Sequence, residues 1–162
     1  MRSKPFSLLI ALSVLAVASG WIHLVRTSTA PKMTQAAKAF LATLTAEQKA
    51  TCLMPYDTPE RVGWHFIPKA ERKGLQIKNM DEGQRKAALE LLRCVLSEVG
   101  YDKATTIMSM ESLLLELQKD SSKGPIRDPL RYYYTVFGEV GQTGRWGLSI
   151  EGHHMSLNFV VD

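Results

Sequence analysis

Residues 145–162 read R-W-G-L-S-I-E-G-H-H-M-S-L-N-F-V-V-D, and the apolar pattern of this stretch changes face halfway along. Trp146, Leu148 and Ile150 occupy even positions, whereas Met155, Leu157, Phe159 and Val161 occupy odd ones. A strand that buries one face repeats its apolar residues at every second position. A strand through 145–161 therefore needs an extra residue where the parity changes, which predicts a β-bulge at Gly152-His153-His154. A bulge re-aims its side chains so that two adjacent residues point roughly the same way. His153 and His154 would face opposite sides of a regular strand; with the bulge, both enter one pocket.

Upstream, Tyr132 to Phe137 is rich in aromatic and β-branched residues, and Gly138 to Gly144 carries the glycines of a turn. The two segments predict a β-hairpin. The chain before them is helical in period. Asp81 and Gln84 make a capping-box start, and Ala88, Leu91, Leu92, Val95, Leu96 and Val99 form an amphipathic stripe that stops at Gly100. A second helix is expected over Tyr101 to Lys119, packed through Ala104, Ile107, Met108, Leu114, Leu115 and Leu117. Thr34 to Thr51 reads as helix, with a fresh start after Leu44 where Thr45 and Gln48 repeat the capping pattern. Thr58-Pro59-Glu60-Arg61 allows at most one helical turn before Gly63. Trp64 to Ile67 reads as a four-residue strand closed by Pro68. Helices first and strands last predict an α+β domain, with N-terminal helices and a helical hairpin packed against a small antiparallel sheet bulged near Gly152.

Candidate chemistry centres on histidine. After residue 25 there are three: His65, His153 and His154. Two imidazoles with a carboxylate, or three imidazoles, are the open ligand sets of catalytic zinc, and two with a carboxylate also suit iron. Glu151 lies two residues before His153 on the same predicted face, and His65 completes the set if its strand pairs nearby. These residues make a candidate site for one divalent metal, zinc, iron or copper. The alternative is that they are structural histidines in a binding module, with Tyr133 and Trp146 offering aromatic contacts to a glycan or protein. The spaced motif H-E-x-x-H is absent, and no nucleophile-elbow pattern surrounds Ser156. Met80, Met108 and Met110 read as gap-filling core.

Four blocks recur together in an uncharacterised bacterial and fungal family: W-H-F-I-P at Trp64 to Pro68, E-R-K-G-L at Glu71 to Leu75, G-Y-x-K-A-x-x-I-M at Gly100 to Met108, and E-G-H-H-x-S-L-N-F at Glu151 to Phe159. The chain resembles that family, domain of unknown function 3500, over nearly everything after residue 33. The resemblance implies no nameable activity. It implies export, and a longer chain than one stopping at Asp162, so this sequence is expected to be a truncated or minimal form.

Export is also written in the first residues. Arg2 and Lys4 precede a run from Phe6 to Ala18 without charge, a basic n-region followed by an apolar h-region. Ala18 and Gly20 suit cleavage after Gly20, while Trp21 to Val25 would lengthen the run toward a membrane span. Residues 1–25 are thus expected to be a signal peptide or an N-terminal membrane anchor, 26–33 a linker and 34–162 a single domain that is periplasmic, extracellular or tethered at the membrane. Any membrane contact is expected only through the uncleaved N-terminal segment.

Cys52 and Cys94 would lie in an oxidising compartment, where one disulfide or two buried thiols are both compatible with the sequence. Their number and separation exclude a structural zinc finger. The formal charge of +4 includes Arg2 and Lys4, and the other cations alternate with carboxylates. That pattern lacks a nucleic-acid footprint and leaves a small molecule, glycan or protein as partner. The densest basic run, Lys69, Arg72, Lys73 and Lys78, reads as a solvated loop.

Overall fold

The computed structural model describes residues 29–119 and 126–162. Helix α1 covers 29–43 and buries Met33, Ala37, Phe40 and, just beyond its end, Leu44. This stripe begins one residue before Thr34 and carries the helix back through residues expected to be linker; the predicted leader lies outside the described residues. Helix α2 (Ala46–Cys52) and helix α3 (Glu82–Val95) both start with the capping boxes read from the sequence, Thr45 with Gln48 and Asp81 with Gln84. Each box satisfies helix-end amide donors that would otherwise lack partners. The two glutamines also bind each other, Gln48 Nε2 donating to Gln84 Oε1 at 2.8 Å and Gln84 Nε2 to Gln48 Oε1 at 2.7 Å, which ties the two helix starts together.

Helix α3 ends at Val95, short of Gly100, because Ser97 opens a new helix, α4 (Glu98–Leu117), by accepting from the Gly100 amide. Along α4 the buried residues are Ala104, Met108 and Glu111, whereas Leu115 and Leu117, expected in the core, are exposed. Proline starts the single turn Pro59–Arg61. Trp64 to Ile67 is irregular, not a strand.

The sheet has five strands: β1 (Leu53–Met54), β2 (Leu75–Gln76), β3 (Tyr133–Phe137), β4 (Trp146–Gly152) and β5 (Met155–Val161). The order is β1-β3-β4-β5, with β2 also on β3. All pairs are antiparallel except β1 with β3, so the sheet is mixed. The expected bulge is a turn. Gly152 pairs with Met155, Ile150 with Leu157 and Leu148 with Phe159, leaving His153-His154 as a two-residue hairpin loop. Across such a loop every residue faces a partner of opposite parity, so folding the chain back accounts for the parity change without an inserted residue.

One sheet face, built from Tyr134, Val136, Trp146, Leu148 and Ile150, packs with Phe40, Leu91 and Leu92 into the core. Phe40 and Tyr134 meet with ring centroids 5.6 Å apart. The opposite face is polar: Tyr133, Glu151 and Ser156 lie in one cross-strand row, and Thr135, Ser149 and Asn158 in the next. Gly74, at φ +90°, lies so close to Thr135 that an added Cβ would sit 2.5 Å from the Tyr134 carbonyl oxygen. Only glycine combines that φ with that approach.

Candidate functional site

The β4–β5 loop carries the histidine pair at its tip, and hydrogen bonds fix three consecutive tip residues. The Trp64 indole Nε1 donates to the Gly152 carbonyl at 3.0 Å, the Tyr132 hydroxyl to the His153 carbonyl at 3.1 Å, and the His154 amide to the Phe66 carbonyl at 3.1 Å. Gly152 has no side chain because the Tyr132 ring occupies the space: an added Cβ would lie 2.6 Å from its Cε1. Burial, followed by the negative charge of Glu111, pushes the Tyr132 hydroxyl well above its ordinary pKa, so it stays a donor.

His153 is held by a carboxylate that the sequence reading passed over. Glu111, only 4% exposed, binds the His153 Nδ1 through Oε1. The Arg127 guanidinium stands beside both, its Nη1 3.3 Å from His153 Nδ1 and 3.8 Å from Glu111 Oε1. With Nδ1 donating to Glu111, the other ring nitrogen, Nε2, is the one left with a lone pair in the neutral imidazole. The His154 ring lies 4.1 Å from that of His153, centroid to centroid. Both rings, with Glu111, Arg127, Ile107, Met110 and Leu114, line a cavity of about 390 Å³. Its polar end is histidine, carboxylate and guanidinium; its wall is aliphatic. Met110, expected in the core, is exposed there.

The remaining expected ligands lie elsewhere. His65 stacks on Phe66 at 4.7 Å, and Phe66 in turn stacks on His154 at 5.9 Å, so an apolar ring mediates between the two histidines. The His65 Nδ1 accepts from the Ile67 amide at 3.3 Å. Glu151 is on the polar sheet face, paired with Lys73 Nζ at 2.6 Å and receiving the Ser149 hydroxyl at 3.4 Å. Among the described residues no three His, Cys, Asp or Glu side chains converge as a metal ligand set. The structure thus brings together His153 and His154, and supplies Glu111 behind the first of them.

The basic run is solvated only in part: Lys69 and Lys78 are exposed, but the two cations between them are engaged. Lys73 is largely shielded against Glu151, and Arg72 donates to the carbonyls of His65 at 2.8 Å and Ile67 at 2.7 Å, which holds the 65–72 segment closed. Tyr133 is 6% exposed and Trp146 fully buried, so neither presents an aromatic surface. Cys52 and Cys94 are both free thiols; Cys52 is buried, and burial pushes it up to about 12. Among the described residues no helix is long and apolar enough to cross a membrane.

A family model described as a protein of unknown function (DUF3500) matches residues 26–162, and the chain belongs to that family. No curated protein and no solved structure matches it.

Proposed function

We propose that this chain is the histidine-bearing domain of an exported protein, and that His153 and His154 hold one divalent metal ion, zinc, iron or copper, beside the cavity they line. One observation carries the reading. A buried carboxylate engages the Nδ1 of His153 and leaves Nε2 to ligate, next to a second imidazole 4.1 Å away. Metal-bound histidines commonly donate their other nitrogen to a carboxylate in this way, which fixes the tautomer and raises the basicity of the ligand. Glu111 takes the outer-carboxylate role; Glu151 and His65 are left out of the set. Two protein ligands leave the other coordination positions to water and substrate. Bound zinc would supply a water of lowered pKa for hydrolysis, and iron or copper an oxidation.

The chain's own residues define what could react there. Ile107, Met110 and Leu114 offer an apolar wall for the body of a small molecule, while Arg127 places a cation beside the polar end. The basic and apolar character of residues 1–25 supports export. The test is metal content by mass spectrometry on protein purified without a histidine tag, beside Glu111→Gln and the double variant His153→Ala/His154→Ala. Near-stoichiometric metal that is lost from the double variant and reduced in Glu111→Gln is expected. A folded wild type that is metal-free and takes up none of the three ions when they are added would refute the reading.

A further inference from the structure

A second recess lies on the other side of the sheet. The polar face would lose hydrogen bonds to water if it were simply buried, and the chain covers only part of it. The segment ending at Gly74 closes over Thr135. Towards β5 the face stays open as a groove of about 710 Å³, with Glu151, Ser156 and Asn158 on its floor and Tyr56, Arg61 and Trp64 along its wall. Glu151 and Ser156 are direct cross-strand partners, and the Asn158 amide donates to the Ser156 hydroxyl at 3.0 Å. Amide, hydroxyl and carboxylate therefore stand side by side as a built set of donors and acceptors.

The groove carries charges of both signs, and its two best-placed ones are held by neighbours. Lys73 neutralises Glu151 at 2.6 Å. The Arg61 guanidinium lies 4.1 Å over the Tyr56 ring and 5.6 Å over that of Phe137, with Nη1 donating to the Tyr56 carbonyl. An anionic ligand would meet Glu151 and Asp57, a cationic one Arg61, and an aliphatic one would strip water from the polar floor without replacing its hydrogen bonds. A ligand that suits both surfaces has hydroxyls that donate and accept and a C–H face that lies on an aromatic ring. Trp64 provides such a ring. It is 37% exposed, and its indole nitrogen is tied to Gly152, so the plane is set before any ligand arrives.

We propose that this groove binds a neutral saccharide, with Trp64 stacking on a sugar ring and Glu151, Ser156 and Asn158 taking its hydroxyls. The proposal does not rest on metal binding by the histidine pair. It gives this chain an aromatic sugar platform at Trp64, in place of the buried Tyr133 and Trp146.

Isotope-labelled protein titrated with cellotetraose, maltotetraose, mannotetraose and tetra-N-acetylchitotetraose tests it. At millimolar sugar, at least one tetrasaccharide should shift the Trp64 indole and Asn158 side-chain resonances. Asn158→Ala, at an exposed position that should fold normally, should weaken binding about tenfold, the loss of one or two hydrogen bonds. Absence of shifts with all four sugars, binding unchanged by Asn158→Ala, or tighter binding of a uronate tetrasaccharide than of any neutral one would overturn the assignment.

Discussion

Replacing His154 by glycine should stabilise the fold while removing a proposed metal ligand. His154 is the one described non-glycine residue at positive φ, 55°, a left-handed conformation that crowds Cβ against the backbone. Relieving it with glycine gains about 1 kcal/mol after allowing for the greater freedom of glycine in the unfolded chain. Against this stands the lost ring contact with His153 and Phe66, about 0.5 kcal/mol for an exposed stack. The net is a gain of about 0.5 kcal/mol, a rise in Tm of about 2 °C for a domain of this size. His153→Gly should do the reverse. It adds freedom to the unfolded chain and leaves the buried Glu111 with only the Arg127 guanidinium, 3.8 Å away, a loss of about 2 kcal/mol. Thermal and urea unfolding of the three proteins in excess chelator, so that metal binding does not contribute, would separate them. A His154→Gly protein less stable than the wild type would show that the loop is not strained and that the reasoning fails.

Gly152→Ala should lower stability by about 1 to 3 kcal/mol, since its Cβ would enter the Tyr132 ring. Gly74→Ala should cost at least as much because it collides with backbone, whereas Gly144→Ala, with open space around it, should show only the φ penalty; urea midpoints rank the three. Lys73→Met should destabilise by about 3 to 5 kcal/mol by leaving the Glu151 carboxylate buried and unpaired, and Lys73→Met/Glu151→Gln should recover most of that loss. If the double variant is as unstable as the single, the pair is not the cause. Burial pushes the Asp128 carboxyl up, but the bond from Lys78, the Leu130 amide and the charges of Lys78 and Arg131 outweigh it and hold the pKa below its usual value. A lowered folded pKa means stability that is present above the unfolded value, about 3.9, and lost as pH falls through the folded one. The stability gap between wild type and Asp128→Asn should therefore shrink as pH falls through and below that value, and a gap independent of pH would refute the assignment.

What was legible in the sequence was local. The two capping boxes, the proline-started turn after Thr58 and the α3 stripe as far as Val95 are set by residues within a few positions of each other and formed where their patterns stood, whereas Val99, expected in that stripe, is exposed in α4. The hairpin loop was half legible: the parity change marked the place, but a bulge and a two-residue turn leave the same mark. The strands β1 and β2, two residues each, are too short to carry any period. Glu111 carried a signal that was not used. It stands at the next core position after Ala104 and Met108 on α4, and a carboxylate there needs a buried partner. Leu115 and Leu117 drew the expected core to positions that are exposed. That the partner is His153, forty-two positions on, is a tertiary fact that no periodicity contains.

The same distance separates motif from meaning in the two aromatic and histidine blocks. Trp64 to Pro68 looked like a strand and Glu151 to Phe159 like a bulged one, yet together they form one clamp. The indole of Trp64 and the carbonyl of Phe66 bind two of the three tip residues, and Tyr132 binds the third. A left-handed histidine persists only where surrounding contacts over-determine it, and these three bonds provide that constraint. The clamp also explains why Gly152 precedes the histidines when the strained position is His154. The glycine is needed for the approach of Tyr132, not for φ, so the residue at positive φ is left free to carry an imidazole beside that of His153.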